Sequence, residues 1–137
     1  MALTHLVDTS VLTRLARPDV RVAIQPLAER GEIARAGISD VEVGYSAHSA
    51  SEWDRLAGAL DLFELVETTA DHIRRARQVQ GLLAARHQRG RKVPDLLIAA
   101  AAETENLIVL HYDADFDRIA GVTGQRTEWI APAGSIE

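Results

Sequence analysis

Four carboxylates stand where an α/β chain could bring them together: Asp8, Glu42, Asp95 and Asp113. Asp8 directly follows Leu3 to Val7, a short apolar run that reads as a buried strand. Asp113 lies just after Leu107 to Leu110, the clearest strand pattern in the chain. Glu42 falls in the first turn of a helix expected to open at Ser39, and Asp95 in the first turn of one opened by Pro94. Ligands of parallel α/β sheets sit beyond the carboxyl ends of the strands, so all four acids can face one edge. Each acid alone has a plainer use. Ser39-Asp40-Val41-Glu42 matches a capping box, Asp95 suits the positive end of its helix, and Asp8 and Asp113 can cap the helices that follow them. Carboxylates gathered at one edge repel one another and raise each other's pKa, and a divalent cation resolves that conflict. Oxygen donors without any cysteine favour Mg²⁺ or Mn²⁺ over zinc.

The elements that must position these acids alternate in type. After the first strand, Val11, Leu12 and Leu15 begin a helical spacing that Arg17-Pro18-Asp19 is expected to stop. Val20 to Arg30 reads as a second helix with a kink or break at Pro26, ended by Gly31. Glu32 to Ile38 reads as a strand, Ser39 to about His48 and Ser51 to Leu60 as helices, and Phe63 to Val66 as a short strand. The longest helix starts at Thr69 or Ala70, with Ile73, Ala76, Val79, Leu82 and Leu83 as its apolar face. A helix from Pro94-Asp95 through Ala102 ends near Asn106, Asp113 to Ile119 forms a short helix, and Thr127 to Ile130 a last strand. The alternation predicts an α/β sandwich with a mostly parallel sheet.

The 137 residues are about one domain's length, so a single domain over 1–137 is expected. The start MALTHLVDTS lacks a basic stretch followed by a long apolar run, and no run approaches the ~18 apolar residues of a membrane span, so a cytoplasmic protein is expected. The absence of cysteine fits a reducing compartment. A formal charge of −5 argues against a protein that coats nucleic acid but leaves room for one that touches it locally.

Four segments in order carry a family resemblance: Leu6-Val7-Asp8-Thr9-Ser10, Ile38-Ser39-Asp40-Val41-Glu42-Val43-Gly44, Pro94-Asp95-Leu96-Leu97-Ile98-Ala99-Ala100-Ala101 and Asp113-Ala114-Asp115-Phe116-Asp117-Arg118-Ile119. In order and spacing the sequence resembles a PIN domain, in particular the toxin of a VapBC toxin–antitoxin pair, over essentially its whole length. The resemblance implies a three-layer α/β/α sandwich and a metal-dependent endoribonuclease that cleaves RNA and inhibits translation. It implies acids at Asp8, Glu42, Asp95 and Asp113 for the chemistry, with Asp115 as a further ligand beside Asp8, Asp95 and Asp113. It also implies a hydroxyl just after the first aspartate, for which Thr9 and Ser10 both qualify, a small antitoxin partner and a homodimer. One departure stands out: the position two before Asp113, commonly Thr or Ser in such toxins, is His111. Glu42 is the acid assigned to orienting or deprotonating the attacking water.

Arg89, Arg91 and Lys92 lie around a basic break just before Asp95, and there they would grip RNA phosphates; Arg86 is equally a solvated helix end. His5 reads as a packed strand residue and His48, His72 and His87 as solvated helix positions, leaving only His111 near the acids. Apolar helical faces around Val43, Leu56 and Leu60 could pair two copies or simply cover the sheet. Two other classes place residues similarly. A phosphoaspartyl phosphatase wants an acid two residues after Asp8, where Ser10 stands, and a receiver wants a lysine near the end, whereas the only lysine is Lys92. A non-catalytic binding module would have no use for every acid in the set.

Overall fold

The computed structural model describes residues 2–88 and 92–136. In chain order the elements are β1 (His5–Val7), α1 (Thr9–Leu12), α2 (Pro18–Glu29), β2 (Ile33–Ala36), α3 (Gly37–Tyr45), α4 (Ala50–Leu60), β3 (Glu64–Val66), α5 (Ala70–Ala85), α6 (Val93–Thr104), β4 (Ile108–His111), α7 (Asp115–Thr123) and β5 (Thr127–Trp129). The strands form one sheet in the order β3-β2-β1-β4-β5, and every pairing is parallel.

Side chains alternate across the sheet, because successive residues of a strand point to opposite faces. Leu6, Ala34 and Val109 join one buried layer with α5, α6 and α7, built on Val79, Leu83, Ile98 and Phe116. Val7, Ile33 and Leu110 join the other with α1 to α4, built on Val11, Val20, Ile24 and Phe63. This is the expected α/β/α sandwich. Strand order also fixes the site. The chain runs outward from β1 through β2 and β3, then returns to place β4 on the other side of β1, so the crevice beyond β1 and β4 is the switch point at which such sheets bind ligands.

Several local expectations are corrected. Pro18 starts α2 instead of stopping a helix: at the first helical position proline loses no hydrogen bond and its φ is preset. Pro26 lies inside α2 without ending it. The second strand stops at Ala36, and α3 begins at Gly37 with Ala36 as its N-cap, so Ser39 is an interior residue and the capping-box reading fails. Ile73 and Leu82 of α5 are exposed, and its buried face is His72, Ala76, Val79 and Leu83. His72 is therefore no solvated position. It is 1% exposed, its Nδ1 accepts from the Thr69 N–H at 3.3 Å, and Thr69 Oγ1 accepts the His72 N–H in return. Val43 and Leu60 are buried in the second layer, with Leu56 packed against it, so these faces cover the sheet. Gly31, at φ +65°, ends α2 as expected, in a conformation that favours glycine.

Candidate active site

The β1–α1 junction delivers the first acid. Asp8 is extended, caps α1 through Oδ2, which accepts the Ser10 N–H at 2.9 Å, and is 2% exposed. Its backbone N–H donates to the Leu110 carbonyl at 2.9 Å, locking the ends of β1 and β4 together. Asp95 sits in the first turn of α6, and Asp113 follows β4, its Oδ1 accepting the Asp115 N–H at 2.9 Å. Asp95, Asp113 and Asp115 each offer a carboxylate oxygen within 4.8 Å of the others. Asp8 is outside that tight trio but lines the same open cleft of about 260 Å³, together with Thr9, Ser10, Thr13, Arg14, Glu42, Lys92, Asp95, Tyr112 and Asp113.

Electrostatics mark the cluster as under-neutralised. Burial raises the Asp8 carboxyl above its usual range, and the Asp113 charge adds to this. Burial, then the charges of Asp8 and Asp113, push Asp95 up to about 7. Lys92 Nζ lies 3.5 Å from Asp113 Oδ2, and Asp113 and Asp95 raise the ammonium pKa. Asp8 Oδ1 and Asp95 Oδ2 are buried with no hydrogen-bond donor among the described residues. Two desolvated carboxylate oxygens without donors, beside three convergent carboxylates, form a donor set that fits a hard divalent cation.

Glu42 reaches the cleft from α3. Thr9 Oγ1 donates to Glu42 Oε1 at 2.7 Å, and the buried Ser39 hydroxyl lies 2.8 Å from the same Thr9 oxygen. Ser39 therefore supports the acid it was expected to cap with. Arg35 braces α3 from β2, donating to both Asp40 carboxylate oxygens and to the carbonyls of Leu60 and Phe63. Ser10 Oγ accepts the Tyr112 N–H at 2.8 Å, which ties the start of α1 to the β4–α7 loop and leaves the hydroxyl proton to donate.

His111 lies near the acids but faces the core. It is fully buried, its ring centre lies 5.0 Å from those of Phe116 and Trp129, and its Nδ1 accepts the Asp113 N–H at 3.2 Å. Burial lowers its pKa to about 4, so it is a neutral packing residue near pH 7. His5 is packed as expected, with Nε2 3.0 Å from Glu128. Arg89 and Arg91 lie outside the described residues. Sequence reasoning missed Arg14 and Tyr112. Arg14 stands four residues after Ser10, one helical turn along, and Tyr112 adjoins Asp113; those spacings were the available signals.

The PIN-domain family model matches residues 5–122. Ribonuclease VapC51 of Mycobacterium tuberculosis (strain ATCC 25618 / H37Rv) is 64% identical over 137 residues, covering 100% of both chains. Ribonuclease VapC18 of the same strain is 42% identical over 95% of this chain and 97% of that protein. Among solved structures, DNA-bound VapBC from Salmonella typhimurium shares the fold with a TM-score of 0.79, at 18% identity over 94% of this chain and 99% of that one.

Proposed function

The chain belongs to the PIN-domain family, among its VapC ribonucleases, and from that premise we propose that it is the endoribonuclease toxin of a VapBC-type pair, using Mg²⁺ or Mn²⁺ to cut RNA and so inhibit translation. The observation that carries the chemistry is that Asp8 and Asp95 each hold a buried carboxylate oxygen with no donor among the described residues, beside the convergent Asp95, Asp113 and Asp115. Asp95, Asp113 and Asp115, with Asp8 beside them, are the residues that would hold the ion. When bound, it supplies charge stabilisation at the phosphoryl group and acidifies water.

The protein's own groups do the rest. Glu42, held by Thr9, accepts the proton of the water that attacks phosphorus, as the bond from phosphorus to the leaving oxygen breaks and that oxygen takes a proton from solvent. Lys92, ion-paired to Asp113 and largely exposed, is free to swing onto an RNA phosphate as the strand arrives. Arg89 and Arg91 are proposed to add to that grip. Ser10 acts chiefly by holding the loop that carries Asp113 and meets substrate at the cleft wall.

We read residues 1–137 as one PIN domain, working in the cytoplasm where its RNA is found. No helix among the described residues is long and apolar enough to cross a membrane. Control by a small antitoxin follows from the same reading. A basic side chain of the partner placed beside Asp8, Asp95 and Asp113 would bind carboxylates through two parallel hydrogen bonds and exclude both RNA and ion. Two copies are proposed to pair; with Val43 and Leu60 buried, the exposed Val41 and Tyr45 of α3 are the apolar side chains left on that helix to do so.

The test is cleavage of labelled single-stranded RNA by purified protein. Activity should be lost in chelator and return with Mg²⁺ or Mn²⁺. RNA binding that survives alongside a complete lack of cleavage under every metal condition would instead favour a non-catalytic binding module.

A further inference from the structure

The acidic cleft also contains a cation that the motif residues do not account for. Arg14 lines the cleft with Asp8, Glu42, Asp95 and Asp113. Its Nη1 donates to the Ser10 carbonyl at 2.7 Å, and its guanidinium carbon lies 4.8 Å from the centre of the Tyr112 ring. Tyr112 is itself fixed at both ends. Its N–H donates to Ser10 Oγ at 2.8 Å, its hydroxyl accepts the Ile136 N–H at 3.1 Å, and its ring meets Trp129 edge-on at 5.6 Å between centres.

Arg14 is thus half-buried and held on two sides. Among the described residues it forms no ion pair, although it shares a cleft with four carboxylates; Lys92 is paired with Asp113, and Arg118 with Asp115. A guanidinium carries five donors in a planar fork, and stacking its face on an aromatic ring leaves its edge to bind. Here one donor serves Ser10 and one face serves Tyr112, so the remaining donors are presented in a geometry set before any ligand arrives. A phosphodiester entering beside carboxylates meets repulsion that a cation must offset. Lys92 cannot bind it without loosening its hold on Asp113, whereas Arg14 can.

We propose that Arg14 is a phosphate-binding residue of the catalytic cleft, its guanidinium edge taking a phosphodiester oxygen of the RNA strand beside the carboxylates, with Tyr112 as the platform that orients it. This rests on the ribonuclease reading above. It separates two cationic roles: Arg14 is the preset contact and Lys92 the one exchanged with Asp113.

The experiment compares wild type, Arg14→Met, Arg14→Lys and, as a surface control on α4, Arg55→Met, each checked for folding by circular dichroism melts. Binding of a fluorescent single-stranded RNA is read by anisotropy in chelator over a series of salt concentrations, and cleavage is read in Mg²⁺. Arg14→Met should weaken binding roughly 10-fold, the scale of one charge-assisted contact. It should also flatten the slope of log K against log salt by about 0.7, the loss of one phosphate contact on a single strand. Arg14→Lys should keep the slope but lose several-fold in affinity, because an ammonium lacks the fork. Arg55→Met should match wild type. A folded Arg14→Met protein with wild-type affinity and slope overturns the assignment while leaving the ribonuclease reading standing. If Arg14→Met does not fold, Arg14→Lys decides, and full wild-type affinity there overturns it. A wild-type protein that neither binds nor cuts RNA overturns the ribonuclease reading and this inference with it.

Discussion

The Ser10 hydroxyl accepts the backbone N–H of Tyr112 at 2.8 Å and so joins two segments 102 residues apart in sequence. One segment starts at Asp8 and the other carries Asp113, so this bond, added to the Asp8 N–H to Leu110 carbonyl bond, holds together the two loops that present these acids. Ser10→Ala leaves a part-buried N–H without its acceptor, which costs about 1–2 kcal/mol of stability. Denaturant unfolding should show that loss, and cleavage kinetics should show a fall in kcat larger than any rise in KM. A raised KM with unchanged stability and kcat would mean that Ser10 serves substrate directly and not the loop.

Asp8→Asn and Asp95→Asn should separate stability from activity. Both carboxylates are buried, both have raised pKa values, and each presents an oxygen with no donor among the described residues. An amide removes the charge at constant shape. Without added metal at neutral pH, both variants should therefore melt at or above the wild-type temperature. Cleavage should fall roughly 100-fold or more, the scale of several kcal/mol of lost charge stabilisation. Variants that melt well below wild type in chelator would show that these acids are structural caps.

The pH dependence of stability should change sign with metal. With Asp95 pushed up to about 7, the metal-free folded state holds that proton more tightly than the unfolded chain does. This stabilisation is present at low pH and is lost as pH rises through about 7, so in chelator the protein should melt higher at pH 6.5 than at pH 8. In saturating Mg²⁺ protons compete with the ion, and the order should reverse. His111 works the other way at lower pH. Its pKa of about 4 lies below the ordinary value, so the unfolded chain takes up its proton first and stability declines as pH falls from about 6.5 toward 4. Thermal melts of wild type and Asp95→Asn check this; an unchanged ordering in Asp95→Asn would remove Asp95 from the account.

Thr9 should matter through Glu42. Thr9→Val removes the hydroxyl that donates to Glu42 Oε1 while keeping the side chain's volume. Cleavage should fall about 10-fold, the scale of one hydrogen bond to a charged group, with RNA affinity unchanged, and Thr9→Ser should restore it. Equal rates in Thr9→Val and wild type would leave Glu42 positioned by other contacts.

What the sequence showed and what it hid have physical causes. The three central strands are legible because their apolar runs are short and mostly buried, and Asp8, Asp95 and Asp113 because each follows a strand or opens a helix, whereas Glu42 lies in the middle of α3, beyond the first turn that its spacing from Ser39 suggests. Boundaries slipped where one residue type serves two roles. Pro18 looks like a stop because proline ends helices, yet at a first position it starts them. Ser39 looks like a cap because its spacing to Glu42 matches one, yet the helix begins two residues earlier and the same serine instead supports Thr9. His72 was hidden because a buried histidine looks like a surface one until its capping partner Thr69 is in place. Arg14 and Tyr112 meet only through the fold, since they lie far apart in the sequence.

If these carboxylates hold a divalent ion for RNA cleavage, Mn²⁺ binding and cleavage measured on the same samples must rise and fall together. Isothermal titration of Mn²⁺ into metal-stripped wild type and Asp95→Asn should be run in parallel with cleavage of one labelled RNA. Wild type should bind the ion saturably and cleave, and Asp95→Asn should lose both together, with its fold intact by circular dichroism. RNA cleavage by Asp95→Asn at the wild-type rate, or by wild type in excess chelator, would contradict it.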